Sequence, residues 1–223
     1  MYKSLIACGV LTLGIFGLPQ TQSNNRAVYL KEETMVLEYS ATLGEAVALL
    51  EAESEETINR VEIRNPLGAA VLELRAPEGK NLGLSGFKVE TGESSVELLL
   101  ETYPPGMYRF RARTADGQFL LGSAVLSHEL PAAPEVLYPT DGAVDVPTTD
   151  LTVSWVVDPQ ATGYRLVVEQ GETDGLVVDL PAGKGSFQVP DGILAPSTRS
   201  HVEVGAIGPN GNCTLVEVAF RTL

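Results

Sequence analysis

Short alternating runs of apolar and polar residues, separated by turn residues, are the feature that most limits how this chain can fold. Residues 61–64 (VEIR), 71–75 (VLELR) and 108–113 (YRFRAR) place every second side chain on one face, which is the period of a half-buried strand. The turn sequences NPLG at 65–68 and ADG at 115–117 follow two of these runs. The sequence has no long helical periodicity, so we expect an all-β chain.

One segment leaves two alternatives open. Residues 42–56 are rich in Ala and Glu and form the best candidate for a helix, whereas AVALL at 46–50 fits a short buried strand equally well. The alternating neighbours favour the strand, with an acidic turn at 51–56. The glutamates of that turn could offer oxygens to Ca²⁺, but one flexible turn rarely supplies the required set of about six to eight. We therefore expect a solvated loop and no metal.

The amino terminus has the layout of a secretory signal peptide. Lys3 precedes an apolar run at 5–18, and a polar stretch begins after Pro19. The apolar run is shorter than the about 20 residues that a membrane span needs. We expect a cleaved signal peptide at 1–23, a secreted or periplasmic product and no membrane span in the mature chain. An uncleaved anchor and a lipoprotein formed through Cys8 are the less favoured alternatives.

A proline-rich segment marks the boundary between two domains. The sequence LPAAP at 130–134 cannot continue a strand ladder, so we expect one domain at 27–130 and a second at 134–223.

The chain has 29 acidic and 15 basic residues, a formal net charge of −14. Nucleic acid and anionic membranes repel such a field, which favours a protein or glycan partner outside the cytoplasm.

The second half carries a series of motifs in a fixed order. They are PTDGAVDVP at 139–147, LTVSW at 151–155, ATGYRLVV at 161–168, FQVP at 187–190, LAPST at 194–198, VEVGA at 202–206 and GPNGN at 208–212. This series resembles a bacterial fibronectin type III domain. The resemblance implies a two-sheet sandwich with a core of Trp155, Tyr164, Leu166, Val202 and Val204. Ser200 stands where that family usually has a tyrosine.

Fewer residues of the first half resemble those of a known fold. PGMYRF at 105–110, followed by the Asp-Gly hairpin, looks like the last two strands of an immunoglobulin-like sandwich. The run from 106 to 134 resembles uncharacterised bacterial secreted proteins, which names no activity. The expected fold class is all-β, with two tandem β-sandwiches, immunoglobulin-like and then fibronectin type III.

Catalytic and cofactor chemistry have no recognisable motif in this sequence. His128 and His201 lie in different halves, and neither has a second His or Cys at metal-ligand spacing. We interpret His128 as a hydrogen-bonded boundary residue and His201 as facing outward. We predict no catalytic residue, no cofactor and no metal site.

Two candidate binding sites lie in loops. The fibronectin-type topology puts the loop at 157–162 beside the hairpin that carries Pro209, Asn210 and Asn212, where a partner could bind. In the first half, Tyr103 precedes two rigid prolines and offers an aromatic contact. The alternative for Tyr103 is a turn held by packing.

A third candidate is a basic stripe on one strand. Arg109, Arg111 and Arg113 share one face of the run at 108–113 and could form a patch for anions or acidic glycans. The favoured alternative is cross-strand pairing of these arginines with carboxylates such as Glu62 or Glu73.

These observations favour a non-catalytic extracytoplasmic binding or spacer protein of bacterial type. The alternatives are an envelope structural subunit that assembles through its sheet edges and an accessory module of a secreted enzyme.

Overall fold

The structure is a computed structural model that describes residues 28–76, 83–171 and 173–223. The predicted signal peptide and Cys8 lie outside the described residues. Within those ranges the chain is nearly all β, as expected, and no helix there is long and apolar enough to cross a bilayer. The described elements, in chain order, are β1 (Val28–Tyr29), β2 (Lys31–Ser40), β3 (Glu45–Arg64), β4 (Ala70–Arg75), β5 (Leu84–Glu90), β6 (Ser94–Ser95), α1 (Val96–Thr102), β7 (Gly106–Thr114), β8 (Phe119–Leu126), β9 (Val136–Tyr138), β10 (Ala143–Val146), β11 (Thr152–Trp155), β12 (Gly163–Gln170), β13 (Thr173–Pro181), β14 (Ser186–Gln188), β15 (Arg199–Ile207) and β16 (Cys213–Thr222).

The chain divides into two compact units after His128. The division lies close to the proline-rich segment at 130–134. Two short segments of the first half, Leu37–Ala46 and Glu93–Val96, belong to the second unit, which otherwise comprises Glu129–Leu223. The sequence did not predict that assignment.

The first unit is organised around the long strand β3. Its amino-terminal part pairs with β2 and β5, and its carboxy-terminal part pairs with β4 and β7. The register with β5 is interrupted between Glu53 and Ile58, where β3 changes partners. Strands β8 and β1 follow β7 in the same sheet. The strand β3 therefore pairs with different neighbours along its length.

The buried side of β3 explains why the segment at 42–56 is a strand. Val47, Ala48, Leu49 and Leu50 are all buried, and the strand then continues through the acidic residues up to Arg64. The predicted buried strand is confirmed, but the predicted acidic turn at 51–56 is wrong. Alternation explains the difference, because Ala52 is buried while its neighbour Glu53 is exposed.

The second unit is a sandwich of two sheets. The smaller sheet has the order β14-β11-β9, and the larger sheet contains β13-β12-β15-β16. The five core residues expected from the fibronectin resemblance are all buried between strands of this unit: Trp155, Tyr164, Leu166, Val202 and Val204. The rings of Trp155 and Tyr164 lie with their centroids 5.5 Å apart. This strand order is that of a fibronectin type III sandwich.

The outer side of β16 has further pairing within the second unit. Cys213, Thr214 and Leu215 pair in parallel with Glu38 to Ser40 of β2. Farther along β16, Ala143 and Val146 of β10 pair in parallel with its last residues. An open sheet edge presents unpaired backbone groups, and these two segments cover the edge that β16 would otherwise expose.

Candidate functional site

Strand β7 presents three arginines on one exposed face. Its buried residues alternate with exposed Arg109, Arg111 and Arg113, which we call the arginine row. Residues two positions apart on a strand are about 6.6 to 6.8 Å apart, so the three Cα atoms form an evenly spaced line. The strand is placed firmly, because Tyr108 and Phe110 on its other face are almost completely inaccessible.

Charged residues lie directly opposite the arginine row on the neighbouring strand. In register with Arg109, Arg111 and Arg113, β3 carries Arg64, Glu62 and Arg60 respectively. Two of the three cross-strand pairs are thus arginine against arginine, which is unfavourable unless other charges compensate it.

The nearby carboxylates pair with other arginines. Glu62 contacts the guanidinium groups of Arg60 and Arg64. Glu73, on β4, lies 2.7 Å from Arg60 and 2.6 Å from Arg75. These two carboxylates and three arginines form a charge network beside the arginine row. Glu62 lies opposite Arg111, as the cross-strand pairing predicted, but its carboxylate contacts Arg60 and Arg64 instead of the row.

The arginine row itself is held by an aromatic ring. The guanidinium carbon of Arg111 lies 4.1 Å from the centroid of Phe119, and that of Arg113 lies 5.9 Å from it. Such cation–π contacts orient a guanidinium without neutralising it. Within the described ranges, no carboxylate lies within ion-pair distance of Arg109, Arg111 or Arg113.

Open grooves follow the arginine row along the sheet. One, of about 760 Å³, is lined by Arg109 and Arg111 together with Tyr29 and Leu121. A smaller groove of about 170 Å³ continues past Arg111 and Arg113, and a third of about 320 Å³ begins at Arg113. The grooves share lining residues, so together they form one elongated surface.

The carboxyl groups of Glu33 and Glu62 both line the groove of about 760 Å³. A Cβ atom at position 122 would lie 2.2 Å from Glu33 Oε1. Gly122 therefore leaves the space that this side chain occupies. Burial raises the pKa of Glu33, so its negative charge is lost at a higher pH than that of an ordinary glutamate.

Tyr103 contributes to local structure through its backbone. Its carbonyl oxygen lies 2.8 Å from His128 Nε2, and the hydroxyl of Tyr108 donates to the carbonyl of Pro104 at 3.0 Å. Tyr103 is half-buried, and burial raises the pKa of its phenol. These contacts fit the turn held by packing, and the hydrogen bond of His128 agrees with its predicted role. Binding through Tyr103 stays a prediction.

Side chains of the predicted binding hairpin form hydrogen bonds with backbone groups of the second unit. Asn212 is 1% exposed, accepts a hydrogen bond from the Leu37 N–H at 2.8 Å and donates to the Glu129 carbonyl at 2.7 Å. Asn210 donates to the same carbonyl at 2.8 Å. Pro209 remains exposed. Asn212 thus has a structural role, and a ligand at this hairpin would meet Pro209 first.

Two further expectations concern the same unit. The predicted proximity of the two loops is confirmed, because the Thr162 hydroxyl donates to the Gly208 carbonyl at 3.2 Å. His201 lies on the face of its strand opposite the core residue Val202, as predicted, but it is largely covered. Its side chain is 14% exposed, and Nδ1 lies 2.8 Å from Glu217 on the adjacent strand.

Among the residues that the structure describes, no three His, Cys, Asp or Glu side chains are grouped so as to hold a metal ion.

Comparisons with known proteins give remote similarity to solved structures alone, since no family model and no curated protein matches this chain. A two-domain fibronectin type III segment of chicken tenascin is 14% identical, covering 86% of this chain and 99% of that one, with a TM-score of 0.31. Fibronectin(III)-like modules of Clostridium thermocellum CbhA are 10% identical over 86% and 94% of the chains, with a TM-score of 0.34. The FN1–FN3 domains of chicken CNTN1 are 16% identical over 88% and 68%, also at 0.34. The sandwich fold of the second unit is established by its strand order and its core.

Proposed function

We propose that this chain is a non-catalytic, extracytoplasmic binding protein whose first unit binds an anionic polymer through the arginine row. The observation that carries the proposal is the set of three exposed guanidinium groups that no carboxylate of the described residues neutralises. In a chain with a net charge of −14, carboxylates that could pair with these arginines are abundant within the chain itself. Leaving this row uncompensated, opposite two more arginines, costs stability that a ligand would recover.

The local charge of this face differs from that of the whole chain. Six arginines and two glutamates project from the same face of β4, β3 and β7. At physiological ionic strength charges are screened over about 8 Å, so a ligand on this face experiences the arginines more than the distant acidic residues. A polymer of moderate charge density, such as an acidic protein segment or glycan, suits this surface better than nucleic acid.

The extracytoplasmic location rests on sequence features. The charged, apolar and polar regions before residue 26 support export, and the fibronectin-type motifs resemble those of bacterial secreted modules. The absence of a recognisable catalytic motif supports a non-catalytic role.

A charge-matched pair of variants tests the proposal. We expect the full chain to bind immobilised poly-L-glutamate or polygalacturonate at low salt. Replacing Arg109, Arg111 and Arg113 together by Gln should weaken binding about tenfold or more, because each exposed ion pair contributes a small but additive amount.

The matched control removes the same charge from the second unit. Lys184, Arg199 and Arg221 are exposed, and their joint replacement by Gln gives the same net charge. We expect a change of less than about twofold in this control. If both triple variants weaken binding equally, or if the unmodified chain binds neither polymer, the arginine row is not a binding site.

A further inference from the structure

We infer that the ligand of the arginine row is an extended polypeptide segment with acidic side chains at alternate positions. This inference rests on the proposed function and specifies its partner. Three structural features support it: the spacing of the row, its boundaries and the way Phe119 is used.

The spacing of the row matches the repeat of another extended chain. Arg109, Arg111 and Arg113 are two residues apart on one strand, and alternate side chains of any extended peptide have the same spacing of about 6.6 to 6.8 Å. A peptide that lies along β7 can therefore bring three successive alternate carboxylates to three guanidinium groups. Any other spacing of acidic residues loses register within the length of the row.

The two sides of the row differ in character. On one side β3 carries Arg64, Glu62 and Arg60, and the carboxylates of Glu62 and Glu73 are already shared among arginines of β3 and β4. On the other side β8 presents Ser123, Leu121 and Phe119, of which Leu121 is 43% and Phe119 48% accessible. A ligand that fits this strip carries negative charge toward the arginines and apolar surface toward β8. An amphipathic extended peptide has that character, since its acidic positions alternate with positions free to be apolar.

Phe119 is used to position arginines. The guanidinium of Arg111 occupies one face of its ring at 4.1 Å, so that face is not open to a stacked sugar ring, although Tyr29 in the same groove is 67% exposed. The ring instead fixes the direction of two arginines before a ligand arrives. Such preorganisation lowers the entropy lost on binding and favours a ligand with regularly spaced charges.

Two peptides of equal composition test the inference on the full chain. An alternating Glu-Thr octapeptide places glutamate at all three same-face positions, whereas a Glu-Glu-Thr-Thr repeat places it at two of them. We expect the alternating peptide to bind about threefold to fivefold more tightly by fluorescence anisotropy, since it makes one more ion pair. Arg111→Gln should remove this preference, and Lys184→Gln, an equal change of charge elsewhere, should retain it.

The outcomes separate this inference from the proposed function. Equal affinity for the two peptides, or tighter binding of a galacturonate oligosaccharide of equal charge, would overturn the peptide assignment while leaving an anion-binding face. Failure of every anionic probe to bind would overturn the proposed function itself. A preference for the alternating peptide that survives Arg111→Gln would place recognition elsewhere on the chain and refute the assignment to this row.

Discussion

Replacing Asn212 by Ala should destabilise the second unit more than any other change in its hairpin. The Asn212 side chain is 1% exposed and connects two backbone groups of the same unit, the Leu37 N–H and the Glu129 carbonyl. The donor–acceptor distances are 2.8 and 2.7 Å, which are in the usual range for N–H···O hydrogen bonds.

The expected cost follows from what each group loses. Leu37 is 1% exposed, so its N–H would lose its amide partner where water has little access, which costs about 1 to 3 kcal/mol. The Glu129 carbonyl would keep its bond from Asn210 and lose less. Together with the small void left by the amide, we expect a loss of about 2 to 4 kcal/mol. The free energy of unfolding of a native protein is about 5 to 15 kcal/mol in total, so the expected loss is a large part of it.

The measurement can be confined to the second unit. Trp155 is the single tryptophan of the chain and lies in the core of that unit, so its fluorescence during urea unfolding reports on it. Asn210→Ala is the matched control, because Asn210 donates to the same Glu129 carbonyl and accepts from the Asn212 N–H at a longer 3.1 Å, but is only half-buried. We expect a loss of less than about 1 kcal/mol there. Equal losses in the two variants, or a loss below about 1 kcal/mol for Asn212→Ala, would refute the reasoning.

Two other predictions concern alkaline stability and export. Burial raises the pKa of Tyr108 to about 12, above the ordinary value of about 10 for an unfolded chain, so its contribution to stability is complete below pH 10 and is lost as the pH rises through about 12. Absorbance at 295 nm should show late-titrating phenols whose amplitude falls by that of a single tyrosine in Tyr108→Phe, and an unchanged amplitude in that variant would contradict the assignment. Mass spectrometry of the protein from its native host should find a first residue between 20 and 27, whereas a retained Met1 or a lipid on Cys8 would exclude the proposed cleavage.

The second unit was largely predictable from the sequence because its strands are specified locally. Alternating runs bounded by turn residues gave the strands that became β11, β12 and β15, and the resemblance placed Trp155 and Tyr164 in the core, where both are buried. The pairing of Glu38 to Ser40 with β16 could not be predicted in this way. A parallel pairing between distant segments leaves no mark in the periodicity of either one.

The candidate site was predictable in part for a similar reason. Alternation placed Arg109, Arg111 and Arg113 on one exposed face, as the structure has them. The partners of Glu62 depend on the register of three strands and on which side chain reaches the carboxylate first. Arg60 and Arg64, its neighbours on the same strand, reach it, although Arg111 is directly opposite. Sequence spacing gives the face of a residue but not the outcome of such a competition.

The inclusion of Leu37–Ala46 in the second unit has a consequence for biosynthesis. Leu37 and its hydrogen-bond partner Asn212 are 175 positions apart, so a chain that emerges in order from a ribosome or an export channel presents one long before the other. During that interval the segment has open backbone groups, which can join foreign strands. Contacts across such long separations also form slowly. Maturation of this unit therefore requires a late strand to capture an early segment, and a chaperone that shields the early segment would shorten the time for which it is exposed.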